Sequence, residues 1–456
     1  MEKSDIQGSI DNLIIILDTN ILLYLYKCSF NASKNIVDLL NKVKDKVIIP
    51  NRVYEEYIFH KDNEQAKIDK KYDTFTTHLN KQVDELKRKV GSSISESRKY
   101  EFPDCDALEI GINTWIEKIK SSITAYKRSL SLEKQNKSVQ ITSVEQLIQY
   151  WNSQQMIRQK PPITELLEYI KEGEVRYKYK MPPGYMDEEE KDKIPKDKVN
   201  DFETRIRKYG DLFVWKEILS IGNCEGEKKV LFLTNDAKED WWVLKGEQKN
   251  VVRMRDELLQ EYTAIVGNGN IEFMNLSKFY ELFSDYYKIC DIKTTLELEY
   301  WPYVQSLVFR KYKDEIEEKM YEEIGKIEWE DINPDFYNIE SPDINIYGFE
   351  IGEITLHYDD DGETALYDVI VSTEPFFAEI SKKEGELFLL LGDVEILGNL
   401  EIQIQRDLRN LDEDGISIKD FSYDVILYRD AQEVLLEREQ NVKAEIDDTL
   451  EEYYKH

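Results

Sequence analysis

The chain has 456 residues, four cysteines and a formal net charge of −31, from 92 acidic and 61 basic side chains. That length holds two or three domains with full cores. No apolar run exceeds six residues (ILLYLY, 21–26), which excludes a membrane-spanning helix. Acidic residues at Glu2, Asp5 and Asp11 argue against a secretory signal, and the spread of Cys28, Cys105, Cys224 and Cys290, with no C-x-x-C pair, excludes a zinc ribbon and argues against a disulfide framework. The expectation is a soluble, cytoplasmic protein.

Segment 13–17, LIIIL, is an unbroken apolar run, as expected of a central parallel strand covered on both faces. Asp18 follows it, and apolar residues at 21, 22, 25 and 26 then recur at helical spacing. Residues 47–49 form a short strand, Pro50 marks the turn, and a helix runs through Glu56. From about 64 to 100 the chain is charged and helical, with Phe75, Leu79, Val83 and Leu86 on one stripe. Asp104 precedes a further amphipathic helix as a candidate cap. Residues 117–180 are polar and helical, with 12 Lys/Arg against 7 Asp/Glu, interleaved with Tyr126, Tyr150, Trp151, Tyr169, Tyr177 and Tyr179. The loop 181–197 (MPPGYMDEEEKDKIPKD) follows. A helix over 211–219, opened by Asp211, leads into the strand VLFLT (230–234) and then Asn235, Asp236 and Asp240. A helix at 254–264, the turn GNGN and the strand IEFM (271–274) complete an alternation that predicts a parallel α/β sheet.

Asp18, Glu56, Asp211, Asp236 and Asp240 thus arrive beside strand ends or helix starts. Carboxylates gathered at the carboxyl edge of a parallel sheet repel one another unless a cation neutralises them, so their expected joint role is to hold a divalent metal. A hard, oxygen-ligated Mg²⁺ or Mn²⁺ with open water positions suits phosphodiester hydrolysis. Thr19, Asn20 and Asn235 are expected to support the carboxylates through hydrogen bonds. Asp18 and Asp211 have helix capping as the alternative, and Asp240 could instead brace Lys238 or a water. Trp241 and Trp242 are expected in the core.

Several peptides, LDTNILLYLY, PNRVYEEY, MPPGYMD, YGDLFVWKEI and LTNDAKEDWW, occur in this order over about residues 10–285. Together they resemble the PIN-like nuclease domains, in the bacterial branch with a long helical insertion (about 64–200) between the second and third acidic motifs. The resemblance implies a metal-dependent endonuclease acting on single-stranded or structured nucleic acid, usually RNA, and leaving 5′-phosphate and 3′-hydroxyl ends. It assigns Asp18, Glu56, Asp211 and Asp236 as the acidic set. Glu56 matches the family spacing from Pro50 and Val53, whereas Glu55 is expected on a solvated face. Asn235 stands where many relatives carry a further Asp.

The charge is unevenly held. Residues 1–290 carry 48 acidic and 46 basic side chains, and residues 291–456 carry 44 and 15, so the balances are −2 and −29. A domain boundary is expected near 290. Beyond a helical segment to about 327, period-two alternation with Asp/Gly turns predicts an antiparallel, mainly β (α+β) acidic domain of no recognised family, closed by a short acidic helix at 431–455. This domain is the expected contact for a regulatory protein partner, or a screen over the basic insert. Within that insert, Lys171, Arg176, Lys178 and Lys180 are the candidate nucleic-acid contacts. Three functions stay open: a regulated toxin-like or anti-phage effector nuclease, a housekeeping RNA-processing nuclease, and an inactive PIN-like binding module.

Overall fold

The computed structural model describes residues 10–187, 202–245, 250–336, 339, 342–344, 346, 348–384 and 387–438. The chain divides into two compact units, Met1–Thr295 and Leu296–His456.

The first unit is built on four parallel strands in the order β2-β1-β3-β6. These are β1 (Leu13–Leu17), β2 (Val47–Ile48), β3 (Lys229–Leu233) and β6 (Ile271–Met274). All five residues of β1 are buried, as the unbroken apolar run demands of a strand with helices on both faces. From β1 the chain moves outward to β2 on one side and later to β3 on the other. The order therefore reverses at the carboxyl end of β1, where open parallel sheets leave a crevice. The backbone N–H of Asp18 still pairs with Leu233 C=O at 2.9 Å, so the first acid sits on the last rung of the ladder. A two-stranded antiparallel ribbon, β4 (Trp242–Lys245) and β5 (Asn250–Met254), follows β3.

Helix α1 (Thr19–Lys27) and helix α2 (Phe30–Val43) cover the sheet. The insertion is a pair of 49-residue helices, α3 (Asn51–Lys99) and α4 (Cys105–Ser153), each about 73 Å long at 1.5 Å per residue. They are bridged along their length by Asp84–Lys120, Asp73–Lys134 and Lys87–Glu117. Sequence periodicity separates the helix at Glu56 from the charged helix after 64, but the structure runs them together. No proline interrupts this stretch and its first glycine is Gly91. Two further expectations need correction. Asp104 stands before α4 in the left-handed region (φ 57°) and makes no capping bond with its side chain. The helical stretch 117–180 is broken after Ser153 and resumes only at α5 (Ile163–Lys178), beyond Pro161 and Pro162, which cannot donate within a helix. Helix α6 (Gly210–Glu225), helix α7 (Asp256–Val266) and helix α8 (Leu276–Tyr287) complete the unit.

The second unit has helix α9 (Ile292–Ser306) at its boundary and helix α10 (Lys313–Ile324). Its strands include β7 (Asp343–Ile344), β8 (Phe349–Tyr358) and β10 (Phe376–Glu384), and its antiparallel sheet has the order β7-β10-β11-β9-β8, with β12 (Asp414–Asp430) along β11 (Leu387–Asp407). Alternate residues of β9 (Thr364–Thr373), namely Ala365, Tyr367, Val369 and Val371, are buried, as a sheet with one wet face requires. Residues 431–438 are helical, and the rest of the expected acidic helix lies outside the described residues. Among the described residues no helix is long and apolar enough to cross a membrane, and no disulfide joins the cysteines.

Candidate active site

Asp18 is the N-cap of α1, with Oδ1 accepting from its neighbour's N–H (Thr19, 2.7 Å). Oδ2 accepts from Asn20 Nδ2 at 2.6 Å and from Thr234 Oγ1 at 2.7 Å. Capping and site membership are therefore compatible roles for one carboxylate. Burial, reinforced by the nearby charges of Glu56 and Asp236, pushes Asp18 up to about 6.

Glu56 reaches the same place from α3. Thr19 Oγ1 donates to its Oε2 at 3.1 Å, while Arg52 Nε and Nη2 hold Oε1 at 3.1 and 2.9 Å. Glu55 points instead to Lys160, 3.2 Å away, and to Arg52 at 3.7 Å. Tyr57, the next residue of the family pattern, is buried and bonds Tyr26 of α1 through the two hydroxyls at 2.7 Å, which fixes α3 against α1. The start of α3 is pinned by Glu217 of α6, whose carboxylate accepts the backbone N–H groups of Asn51 (2.6 Å) and Arg52 (3.0 Å). Pro50 precedes this helix without a capping side chain, so Glu217 supplies from a distance the anion that a helix N-terminus favours. Burial raises Glu217 to about 7 against those two bonds.

Asp211 lies in the first turn of α6 and accepts from Trp241 Nε1 at 3.4 Å, so it is not the capping residue of that helix. Two glycines admit the neighbouring chains. A Cβ on Gly210 would come 3.0 Å from Glu56 Oε1, and one on Gly184, at φ +90°, would come 2.9 Å from Asp211 Cβ.

Asp236 follows β3. Its N–H donates to Thr234 Oγ1 at 3.0 Å, and its Oδ1 accepts the N–H of Lys238 at 2.9 Å. The Lys238 ammonium lies 3.6 Å from Asp236 Oδ2 and bonds Asp187. Although burial works against its charge, Asp187, Asp236 and Asp211 together hold Lys238 above the usual lysine range.

Asp240 is fully buried. Its Oδ2 accepts the backbone N–H groups of Gly184 (2.9 Å) and Met186 (3.1 Å), so it clasps the MPPGYMD turn, and burial raises its pKa. Asn235 joins α1 and α8: its N–H donates to Asn20 Oδ1 and its Oδ1 accepts Leu276 N–H, each at 3.0 Å. Trp241 and Trp242 are core residues packed on Phe273, with Trp241 also against Phe232.

Among the four basic candidates, Lys171, Lys178 and Lys180 are exposed. Arg176 is 5% exposed, and its guanidinium is taken up by Glu172, Glu261 and the carbonyl of Pro182. It ties α5 to α7 and the turn instead of facing solvent. Trp151 and Tyr177 of the interleaved aromatics are likewise buried.

Sequence reasoning passed over Asp187, Arg52, Thr234 and Glu217, and named Lys238 only as a group for Asp240 to brace. Asp187 ends MPPGYMD, Arg52 lies in PNRVYEEY, Glu217 in YGDLFVWKEI and Thr234 in LTNDAKEDWW, so all four stood within quoted motifs. The role of Glu217 carried no signal, because its partners are backbone groups 165 and 166 residues away.

The donor set fits a hard divalent cation in kind, being all oxygen, and in charge, since Glu56 and Asp236 lie near enough to Asp18 for their carboxylates to oppose its ionisation. Among the described residues no three His, Cys, Asp or Glu side chains form a ready-made metal group. The guanidinium of Arg52 and the ammonium of Lys238 neutralise part of the charge.

A family model described as a PIN like domain matches residues 14–258. No curated protein and no solved structure matches the chain.

Proposed function

This chain belongs to the PIN-like domain family, whose members are generally nucleases, and on that premise we propose that it is a metal-dependent endonuclease of single-stranded or structured nucleic acid, with RNA as the favoured substrate. The observation that carries this reading is the meeting of carboxylates at the carboxyl edge of the sheet, where Thr19 ties Glu56 beside Asp18 and Thr234 bonds both the Asp18 carboxylate and the Asp236 N–H. Negative charge concentrated there calls for a cation that protein groups only partly provide.

In this reading Asp18, Glu56, Asp211 and Asp236 hold Mg²⁺ or Mn²⁺. A divalent cation so held supplies the charge that activates water and stabilises the leaving oxygen. The chain's own groups do the positioning. Asn20 and Thr234 fix the rotamer of Asp18 through Oδ2, and Thr19 with Arg52 fixes Glu56. Lys238, half-exposed beside Asp236, offers an ammonium to a phosphate oxygen at the same edge. Asp240 acts one step back, by holding the 184–186 turn against the site.

The test is incubation of end-labelled single-stranded RNA and DNA with the full chain, in Mn²⁺, in Mg²⁺ and in EDTA. Internal cuts that require metal support the reading, and stronger cutting of RNA supports the substrate assignment. Binding without any cutting would favour the inactive-module alternative. The regulated-effector role and a partner for the acidic second unit belong to the same proposal, resting on the −29 balance of residues 291–456.

A further inference from the structure

Helix α1 has the acidic centre at its first residue and a cavity at its last. The cavity, of about 440 Å³, opens between the end of α1 and the α3–α4 hairpin. Nine residues separate the two places, or roughly 13 Å at the rise of an α-helix. Its volume falls within the range of small-molecule sites.

The lining combines two chemistries. Phe30, Tyr72, Phe75 and Tyr126 supply aromatic faces, and Lys71 and Lys137 supply charge. Phe75 and Tyr126 meet edge to face, with centroids 6.0 Å apart, yet stay 45% and 50% exposed. Apolar rings left in water at the mouth of a cavity are surface waiting for a flat partner. Lys137 is 4% exposed, with Nζ donating to Cys28 C=O at 2.6 Å. Lys71 has no ion pair among the described residues, whereas Lys27, which also lines the cavity, is 3.6 Å from Glu64. With Glu133 as the one lining carboxylate, the cavity carries three lysines against one acid.

We propose that this cavity is a nucleotide-binding site, with a base stacked on Tyr126 and Phe75 and its phosphate met by Lys71. Aromatic faces beside an uncommitted cation are what unstacked nucleotides bind through, with little regard to base identity. The nucleotide belongs either to the strand being cut, in which case the site rests on the nuclease reading and grips the substrate about one helix length from the cut, or to a free nucleotide. The chemistry is the same.

Calorimetry with adenosine monophosphate, on the full chain in EDTA, tests it without any cleavage. The nucleotide should bind saturably, and more tightly than adenosine or ribose 5-phosphate alone. Lys71→Glu and Tyr126→Ala should each weaken it about tenfold or more, while Tyr126→Phe, which keeps the ring, retains binding. Both side chains are exposed, so the melting temperature should not move. Displacement of a single-stranded oligonucleotide by the monophosphate assigns the site to the substrate strand, and binding without displacement assigns it to a free nucleotide. Absence of binding, or equal binding by Lys71→Glu and Tyr126→Ala, overturns the proposal. Because the assay needs neither metal nor cleavage, its failure leaves the nuclease reading standing, and an inactive nuclease leaves this site standing.

Discussion

Thr19 Oγ1 donates to Glu56 Oε2 at 3.1 Å, so the residue that follows Asp18 holds Glu56 in place. Thr19 thereby links two motifs that lie 37 residues apart and belong to different elements. Thr19→Val keeps the shape and removes the donor. It should lower Mn²⁺-dependent cleavage by about 10- to 100-fold, the usual effect of losing a group that orients a ligand. Steady-state rates, with circular dichroism to check the fold, would decide this, and an unchanged rate would show that Glu56 is fixed by Arg52 alone.

Glu55 and Glu56 can be separated directly. Glu56→Gln should abolish cleavage, while Glu55→Gln, which loses a contact with Lys160 at a half-exposed position, should retain nearly all of it. Loss of activity in Glu55→Gln alone would reverse the assignment.

The pH dependence of metal-free stability follows from Asp18. Its folded pKa is raised by burial from an ordinary 3.8 to about 6, so the folded chain holds this proton more tightly than the unfolded one. Its contribution to stability therefore falls as pH rises from about 4 through 6, and the penalty is fully present at neutral pH. In EDTA at pH 8, Asp18→Asn should melt higher than the native chain, and the difference should vanish below about pH 4. A variant that melts lower at pH 8 would mean that the carboxylate is well stabilised without a cation.

Glu217→Ala strands two backbone donors at the start of α3 and should destabilise the chain by about 1–3 kcal/mol. Activity should fall further than stability alone explains, because Glu56 is on that helix one turn later. Denaturant melts and rates measured on the same preparation would separate the two effects.

The basic face divides on burial. Reversing Lys171, Lys178 and Lys180 together should flatten the salt dependence of nucleic-acid binding by up to about three units of slope and leave the fold intact. Arg176→Glu places a carboxylate against Glu172 and Glu261 and should fail in a melt before it fails in a binding assay. An unchanged slope in the triple variant would put the strand elsewhere.

Strand β1 was legible to the residue because its side chains alone report burial on both faces, and β6 because the GNGN turn marks its start. Asp18, Asp211 and Asp236 lie beside a strand end or in a first helical turn, as read, because the apolar strand and the helical spacing mark those edges, whereas Glu56 lies in the second turn of its helix. Asp187, Lys238 and Glu217 were not legible, since each acts through a partner distant in sequence or through backbone, which leaves no periodic trace. Arg176 was misplaced at the surface for a related reason. On a long polar helix, charge and aromatic content do not reveal which turn meets the core, and here Trp151 is fixed by a bond from Nε1 to Lys44 C=O at 3.0 Å. In the second unit the alternation reported the antiparallel sheet and nothing of its role.

The most direct test of the central claim is cleavage of single-stranded RNA in Mn²⁺ by the native chain, Asp18→Asn and Asp236→Asn, each shown to be folded by a cooperative melt. Metal-dependent cutting by the native chain, with loss of at least about a hundredfold in both variants, is the result the account predicts. Full activity in either folded variant, or native cutting that persists in EDTA, would contradict it.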